Sequence, residues 1–156
     1  MRDGQSPEGR EETTLRILRA SVVAGASGIA AAELYLRIGW GQSLGPDWLS
    51  VLLGAAVGLA VLVPLGYWPA LGALRALVGG YRPLLLFPAA AALLGLLPVA
   101  LIVRLRSGGF GALAAPETTF LLVLFSALGA GFGLGYAWDH EAPRGSDRTP
   151  STPPGS

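Results

Sequence analysis

The sequence predicts an all-α membrane protein whose fold is a bundle of four transmembrane helices. Four separate apolar runs are each long enough to cross the ~30 Å hydrocarbon core of a bilayer, and almost every charged residue lies outside them. Hydrophobic residues make up 52% of the 156-residue chain and charged residues only 13%, against about 25% charged in a typical soluble domain. Lipid is therefore the expected solvent for most of the chain.

Three parts are expected along the chain: a flexible N-terminal tail at 1–14, a four-span transmembrane domain at 15–138 and a disordered C-terminal tail at 139–156. Both tails mix charged residues with glycine and proline and lack apolar periodicity. Such segments bury too little apolar surface to offset the entropy lost on folding.

The first span is predicted at about 17–38. Arg16 and Arg19 lie at its start and Arg37 at its end, where guanidinium groups can reach the membrane interfaces. Glycines and a proline in 39–47 then break the helix. A competing interpretation is a signal peptide cleaved at Ala30–Ala32. The several acidic residues that precede this span are atypical of the positively charged start of a signal peptide, so we favour four spans.

The second span is predicted at about 48–68. Pro69 stands where a new helix can begin, and 69–78 is either a separate helix at the membrane interface or a continuation of the same helix. Gly79 and Gly80 are predicted to cap its C-terminus.

The third and fourth spans are predicted at about 84–105 and 118–138. The third contains eight leucines within 84–103 and should insert into a bilayer without help from neighbours. The fourth begins at Pro116 and Glu117, and an acidic first turn favours a helix N-terminus.

The distribution of arginines predicts that both termini lie on the cytoplasmic side of a bacterial-type cytoplasmic membrane. With that topology eight arginines face the cytoplasm and three face the other side, as the positive-inside bias favours. The three are Arg37, Arg104 and Arg106.

Small residues recur at helical spacing in three of the four spans, and they allow helix backbones to approach closely. We predict helix-packing seams at Ala24, Gly28 and Ala32 in the first span, at Gly54 and Gly58 in the second, and at Ala127, Gly131 and Gly135 in the fourth. The first and fourth helices are expected to pack together through them. The alternative is that these residues only reflect the high alanine and glycine content of membrane helices.

Glu33 is the only acidic residue inside a predicted span, and ionisable residues within membranes are functional candidates by default. One hypothesis is that Glu33 carries protons. The favoured alternative is an ion pair with Arg37, which follows at the favourable i,i+4 helical spacing near the helix end.

The segment Ala31–Leu34, with the sequence AAEL, and the number of spans are similar to small four-helix multidrug exporters, which also place a glutamate in their first helix. The resemblance implies a small proton-coupled transporter. The long charged tails and the lack of an aromatic-rich third helix depart from that family, and the chain is not assigned to it.

Pro64 and Pro98 are predicted to kink their helices, because each removes a hydrogen bond to the carbonyl four residues earlier. The freed carbonyls of Ala60 and Leu94 either line a cavity that binds cations or are satisfied by neighbouring groups.

No residue pattern indicates catalysis, a cofactor or a metal, and we expect no enzyme. The chain has no cysteine and one histidine, which excludes cysteine chemistry and a multi-histidine zinc site. A net charge of +1 gives no basic footprint for nucleic acid. The expected role is an accessory, structural or regulatory subunit that binds a membrane-protein partner or forms a homo-oligomer. The alternative is a small proton-coupled transporter or channel using Glu33.

Overall fold

The computed structural model of the chain describes residues 7–78, 83–107, 109 and 111–141. The described residues form helices and contain no β-strand, which confirms the all-helical class. The elements in chain order are α1 (Pro7–Trp40), a 3₁₀ turn (Gly45–Asp47), α2 (Trp48–Leu62), a π-helical turn (Val63–Tyr67), α3 (Trp68–Val78), α4 (Pro83–Ser107), a second 3₁₀ turn (Gly111–Ala114) and α5 (Pro116–Glu141).

These elements form four continuous helical runs that are long and apolar enough to cross a membrane. They cover Glu11–Trp40, Gly45–Val78, Leu84–Arg106 and Pro116–Trp138. The second run combines the first 3₁₀ turn, α2, the π-helical turn and α3. The four apolar runs of the sequence therefore correspond to four long helical segments.

Helix α1 begins at Pro7, inside the segment predicted as a flexible tail. Proline at the first helical position has its backbone angle already set for a helix and lacks only an N–H that would be unpaired there. Acidic side chains early in the helix favour its positive end, and Glu12 pairs with Arg16 one turn later. The helix thus includes 7–14; residues 1–6 lie outside the described part of the chain.

Two glycines with left-handed backbone angles shape the connection from α1 to α2. Gly41 follows the last residue of α1 with φ 64°, and its N–H donates to the carbonyl of Arg37 at 3.2 Å. This is the αL form of a helix C-cap, which L-residues other than glycine adopt at a cost. Gly45 has φ 49° and opens the 3₁₀ turn that leads into α2.

The run from α2 to α3 is continuous, and Pro64 lies in the π-helical turn that joins them. The N–H of Trp68 donates to the carbonyl of Val63, five residues earlier, as in a π-bulge. The wider turn accommodates the proline without ending the helix, and 69–78 continues the run. The predicted cap at Gly79 and Gly80 lies outside the described residues.

Helix α4 is one α-helix from Pro83 to Ser107, and it contains both Pro88 and Pro98. The helix continues without a break at Pro98, whereas Pro64 lies in a turn of different pitch. The two prolines predicted to have the same effect therefore have different local structures.

Helix α5 is the centre of the bundle. It packs extensively against both α1 and α4. In its most apolar 18-residue stretch 44% is buried, against 17–22% in the corresponding stretches of the other three runs. Leu128 and Phe132 of α5 have no exposed surface. The core therefore lies around α5.

Large apolar side chains cover the outside of the bundle. Val22 is 65% exposed, Leu65 77%, Leu93 64% and Trp138 70%, and each lies on a different helical run. Contiguous exposed apolar surface marks contact with membrane or protein rather than water.

Candidate functional site

The α1–α5 seam brings two helix backbones into direct contact. Ala20 and Ala24 of α1 are buried, and they lie opposite Gly135 and Gly131 of α5. A Cβ atom on Gly131 would lie 2.8 Å from the Cα of Ala24, and one on Gly135 would lie 2.7 Å from the Cα of Ala20. There is room for no side chain at either glycine, so these small residues set the distance between the helices.

Gly28 and Gly58 instead receive large side chains from α5. A Cβ on Gly28 would lie 2.6 Å from Cδ2 of Leu128, and one on Gly58 would lie 2.8 Å from Cε1 of Phe125. Ala32, one turn beyond Gly28, is also buried in α1. These positions act as sockets for side chains.

Gly54 does not take part in packing within this chain, in contrast to the sequence-based prediction. A Cβ placed there would meet nothing within 4 Å, and the residue is exposed. The buried face of α2 follows Ala55 and Leu59, and Gly54 lies about 100° around the helix from Ala55. Ala127 of α5, one turn before Gly131 on the same face, is only half-buried.

A second seam, between α4 and α5, is the closest in the bundle and was missed by the sequence analysis. A Cβ on Gly129 would lie 2.1 Å from the carbonyl oxygen of Ala91, and one on Gly133 would lie 2.4 Å from that of Phe87. Gly95 of α4 is as close to the carbonyl oxygen of Phe125, at 2.2 Å. The glycines of each helix therefore lie against backbone carbonyl oxygens of the other, and weak Cα–H···O contacts form in this arrangement.

The glycines of α5 divide between these two seams by a simple rule of helical geometry. Residues two apart on a helix point about 200° apart, so Gly129 and Gly133 face α4 while Gly131 and Gly135 face α1. The sequence 129–135 thus contains a GxxxG motif on each of two opposite faces. These two interleaved GxxxG motifs are the sequence pattern from which the second seam could have been predicted.

An aromatic cluster fills the junction of the π-helical turn with α4 and α5. The rings of Tyr67 and Phe132 stack with centroids 5.3 Å apart, and Tyr136 packs edge-on against both Trp68 and Phe87, at 5.6 and 5.4 Å. Among the described side chains, the Tyr67 hydroxyl is the one buried polar group without a hydrogen-bond partner.

Glu33 ties the end of α1 to the following loop. Its Oε1 accepts a hydrogen bond from Nε of Arg37 at 2.5 Å, and its Oε2 accepts one from the backbone N–H of Leu44 at 2.9 Å. Leu44 is only 7% exposed, whereas the Arg37 side chain is 68% exposed. Both carboxylate oxygens are thus used within the chain, and the predicted pair with Arg37 has a third member that the sequence did not indicate.

The described side chains include no cluster of metal-binding type. Within 7–78, 83–107, 109 and 111–141, no group of three or more histidine, cysteine, aspartate or glutamate residues could hold a metal ion. The same part of the chain has no buried polar or charged residue apart from tyrosine. What the arrangement provides is close helix packing, an anchored loop and a wide apolar exterior.

Comparison of the chain with models of protein families, with curated proteins and with solved structures found no match. Its function is therefore inferred from its own geometry and chemistry.

Proposed function

We propose that this chain is a four-span protein of a bacterial-type cytoplasmic membrane with both termini in the cytoplasm. It acts there as an accessory, structural or regulatory subunit, without enzymatic activity, and packs against another membrane protein. Its surroundings are the lipid bilayer and that partner, and nucleic acid has no part in its role.

A ridge of five large apolar side chains, four on α2 and one on the π-helical turn that follows it, carries the proposal. They recur every four residues on the face opposite Ala55 and Leu59, and each is at least half exposed. We call them the α2 ridge: Leu49, Leu53, Val57, Val61 and Leu65. Rows of residues four apart are the ridges that fit into grooves of a neighbouring helix. Gly54, next to the ridge, leaves open space that a partner's side chain can fill.

The weak attachment of α2 to the rest of the chain supports the same role. The α1–α5 and α4–α5 pairs make extensive contacts, while α2 touches α1 and α5 at few points. Helices in lipid associate through van der Waals packing, and the ridge of α2 is unused within the chain. A neighbouring protein supplies the packing that this helix lacks.

The anchoring of Glu33 favours the subunit role over the proton-coupled transporter. A proton carrier needs a carboxyl group that can bind and release a proton during a transport cycle. Glu33 instead holds Arg37 and the backbone of Leu44 at the same time, which suits a fixed loop anchor.

Co-purification in mild detergent tests the proposed role. We expect a second membrane protein in fixed stoichiometry, which is lost when Leu53, Val57 and Val61 are together replaced by alanine. The matched control replaces Leu93, Leu97 and Leu101 of α4, which are 59–64% exposed, and should retain the partner. A lone homo-oligomer whose proton-coupled flux in liposomes disappears in Glu33→Gln would overturn the proposal in favour of a transporter.

Cysteine accessibility tests the topology, and the chain suits it because it contains no cysteine. In intact cells, a membrane-impermeant maleimide should label Ser43→Cys, in the α1–α2 loop, but neither Ser6→Cys nor Ser151→Cys. Permeabilisation should expose both terminal positions. Labelling of only one terminus in intact cells contradicts the proposed topology.

A further inference from the structure

One end of the α1–α5 seam opens at the surface as an apolar groove of about 480 Å³. Gly135, whose backbone meets that of Ala20 in the seam, is one of its lining residues. Larger side chains rise on both sides, Leu18 and Val22 from α1 and Leu134 and Trp138 from α5. Small residues at the crossing and large ones beside it thus form a slot that suits a hydrocarbon chain.

Arg19 and Trp138 stand together at this groove. Both are exposed, and tryptophan and arginine near helix ends are typical of the lipid headgroup level. A guanidinium group has five N–H donors and can bind phosphate in a bidentate manner. Arg19 also makes an interaction within the chain.

The opposite end of the same helix pair carries a second groove with the opposite charge. It is about 330 Å³ in volume and is lined by Tyr35, Trp40 and Phe120, and its charged lining residue is Glu117. The two grooves share an apolar, aromatic lining and differ in the sign of the charge at the rim. An anionic headgroup is therefore attracted at the Arg19 end and repelled at the Glu117 end.

We infer that the Arg19 groove binds one anionic phospholipid, with an acyl chain in the apolar slot and the phosphate at Arg19. The inference rests on the membrane placement proposed above. In that orientation the groove faces the cytoplasmic leaflet, where basic pockets between transmembrane helices bind anionic headgroups.

Native mass spectrometry of the detergent-purified protein tests this site with phosphatidylglycerol and phosphatidylcholine of identical acyl chains. We expect one retained phosphatidylglycerol, favoured about ten-fold. Both lipids present a phosphate to Arg19, but the choline cation of phosphatidylcholine offsets the negative charge that phosphatidylglycerol keeps. Arg19→Gln should remove the preference and Arg19→Lys should keep most of it. Arg106→Gln, which removes the same charge at an exposed site on α4, should change nothing.

Filling the slot provides a second variant that does not alter charge. Leu134→Trp should reduce retention of phosphatidylglycerol, while Leu97→Trp, on the exposed face of α4, should not. Equal retention of both lipids, unchanged preference in Arg19→Gln, or an equal loss in Arg106→Gln would each overturn the inference. The inference would also be overturned if a protein co-purified with the wild type and was lost in Leu134→Trp, because the groove would then bind that protein.

The membrane placement and the lipid site fail in distinguishable ways. Release of the chain from cell membranes by alkaline carbonate, with solubility in the absence of detergent, would reject both. A chain that needs detergent but retains the two lipids equally would reject the lipid site alone.

Discussion

Gly131 of α5 and Ala24 of α1 touch through their backbones, so that a Cβ on the glycine would lie 2.8 Å from the alanine Cα. The contact is one half of a two-sided arrangement, because Gly129 and Gly133 make the equivalent approach to α4. A helix with glycine at alternate positions over 129–135 can hold a neighbour on each side. This explains why α5, and not a more hydrophobic helix, is the most buried.

Gly131→Leu should destabilise the bundle by at least about 1–3 kcal/mol, the usual cost of overpacking a filled site, because a side chain there meets the Cα of Ala24 and the side chain of Ser27 in α1. The measurement is thermal unfolding in detergent together with the yield of folded protein. Gly25→Leu is the control, since a Cβ at Gly25 meets nothing within 4 Å. Equal stability of the two variants would contradict the seam.

Even a single methyl group should be excluded from the α4–α5 seam. Gly129→Ala and Gly133→Ala place a Cβ 2.1 and 2.4 Å from carbonyl oxygens, and should lower the unfolding temperature more than Gly28→Ala, where the obstacle is the movable end of the Leu128 side chain. Gly72→Ala, which has open space around it, should match the wild type. A larger effect at Gly28 than at Gly129 would show that α4 and α5 are not in backbone contact.

Loss of the Glu33 carboxylate should loosen the α1–α2 loop. In Glu33→Ala the N–H of Leu44 loses its acceptor, and its amide hydrogen should exchange about ten-fold faster, as expected for an opened local hydrogen bond. Glu33→Gln keeps a carbonyl acceptor of similar shape and should show a smaller change. Glu117→Gln, at the start of α5, serves as the control and should leave the Leu44 amide unchanged.

Tyr67→Phe should be neutral or stabilising, because the hydroxyl it removes is buried with no hydrogen-bond partner among the described residues, a condition that costs about 1–3 kcal/mol. The ring itself stacks on Phe132, so Tyr67→Ala should destabilise by about 3–5 kcal/mol, as for other buried aromatic residues. Both values follow from thermal unfolding in detergent. A clear loss of stability in Tyr67→Phe would contradict the absence of a partner.

The sequence predicted the number and type of the long elements well, because these depend on local properties. Apolar length determines that a segment can be a membrane-crossing helix, and glycine and proline determine where it stops; Gly41 ends α1 with the left-handed angle that glycine favours. The start of α1 at Pro7 was missed although its signal is local, since a proline followed by acidic residues is a typical helix N-terminus.

The partners of each helix could not be read from composition. The leucine-rich third run was singled out only as able to insert into a bilayer unaided, and its composition did not indicate that α4 makes the closest backbone contacts, through Gly95 and the carbonyls of Phe87 and Ala91. Gly54 and Gly58 form an equally good motif in sequence, and only Gly58 meets another helix. A small residue permits a close approach, and which neighbour makes it depends on the rest of the fold.

By itself, then, the amino-acid sequence determined that the chain forms four long apolar helices and that an acid at Glu33 stands one turn before Arg37. Only the tertiary structure decided that α5 lies at the centre, that α2 presents an unused ridge, and that Glu33 also holds Leu44 across the loop. Helix formation depends on hydrogen bonds and side chains within a few residues, whereas each of these outcomes depends on surfaces brought together from distant parts of the chain.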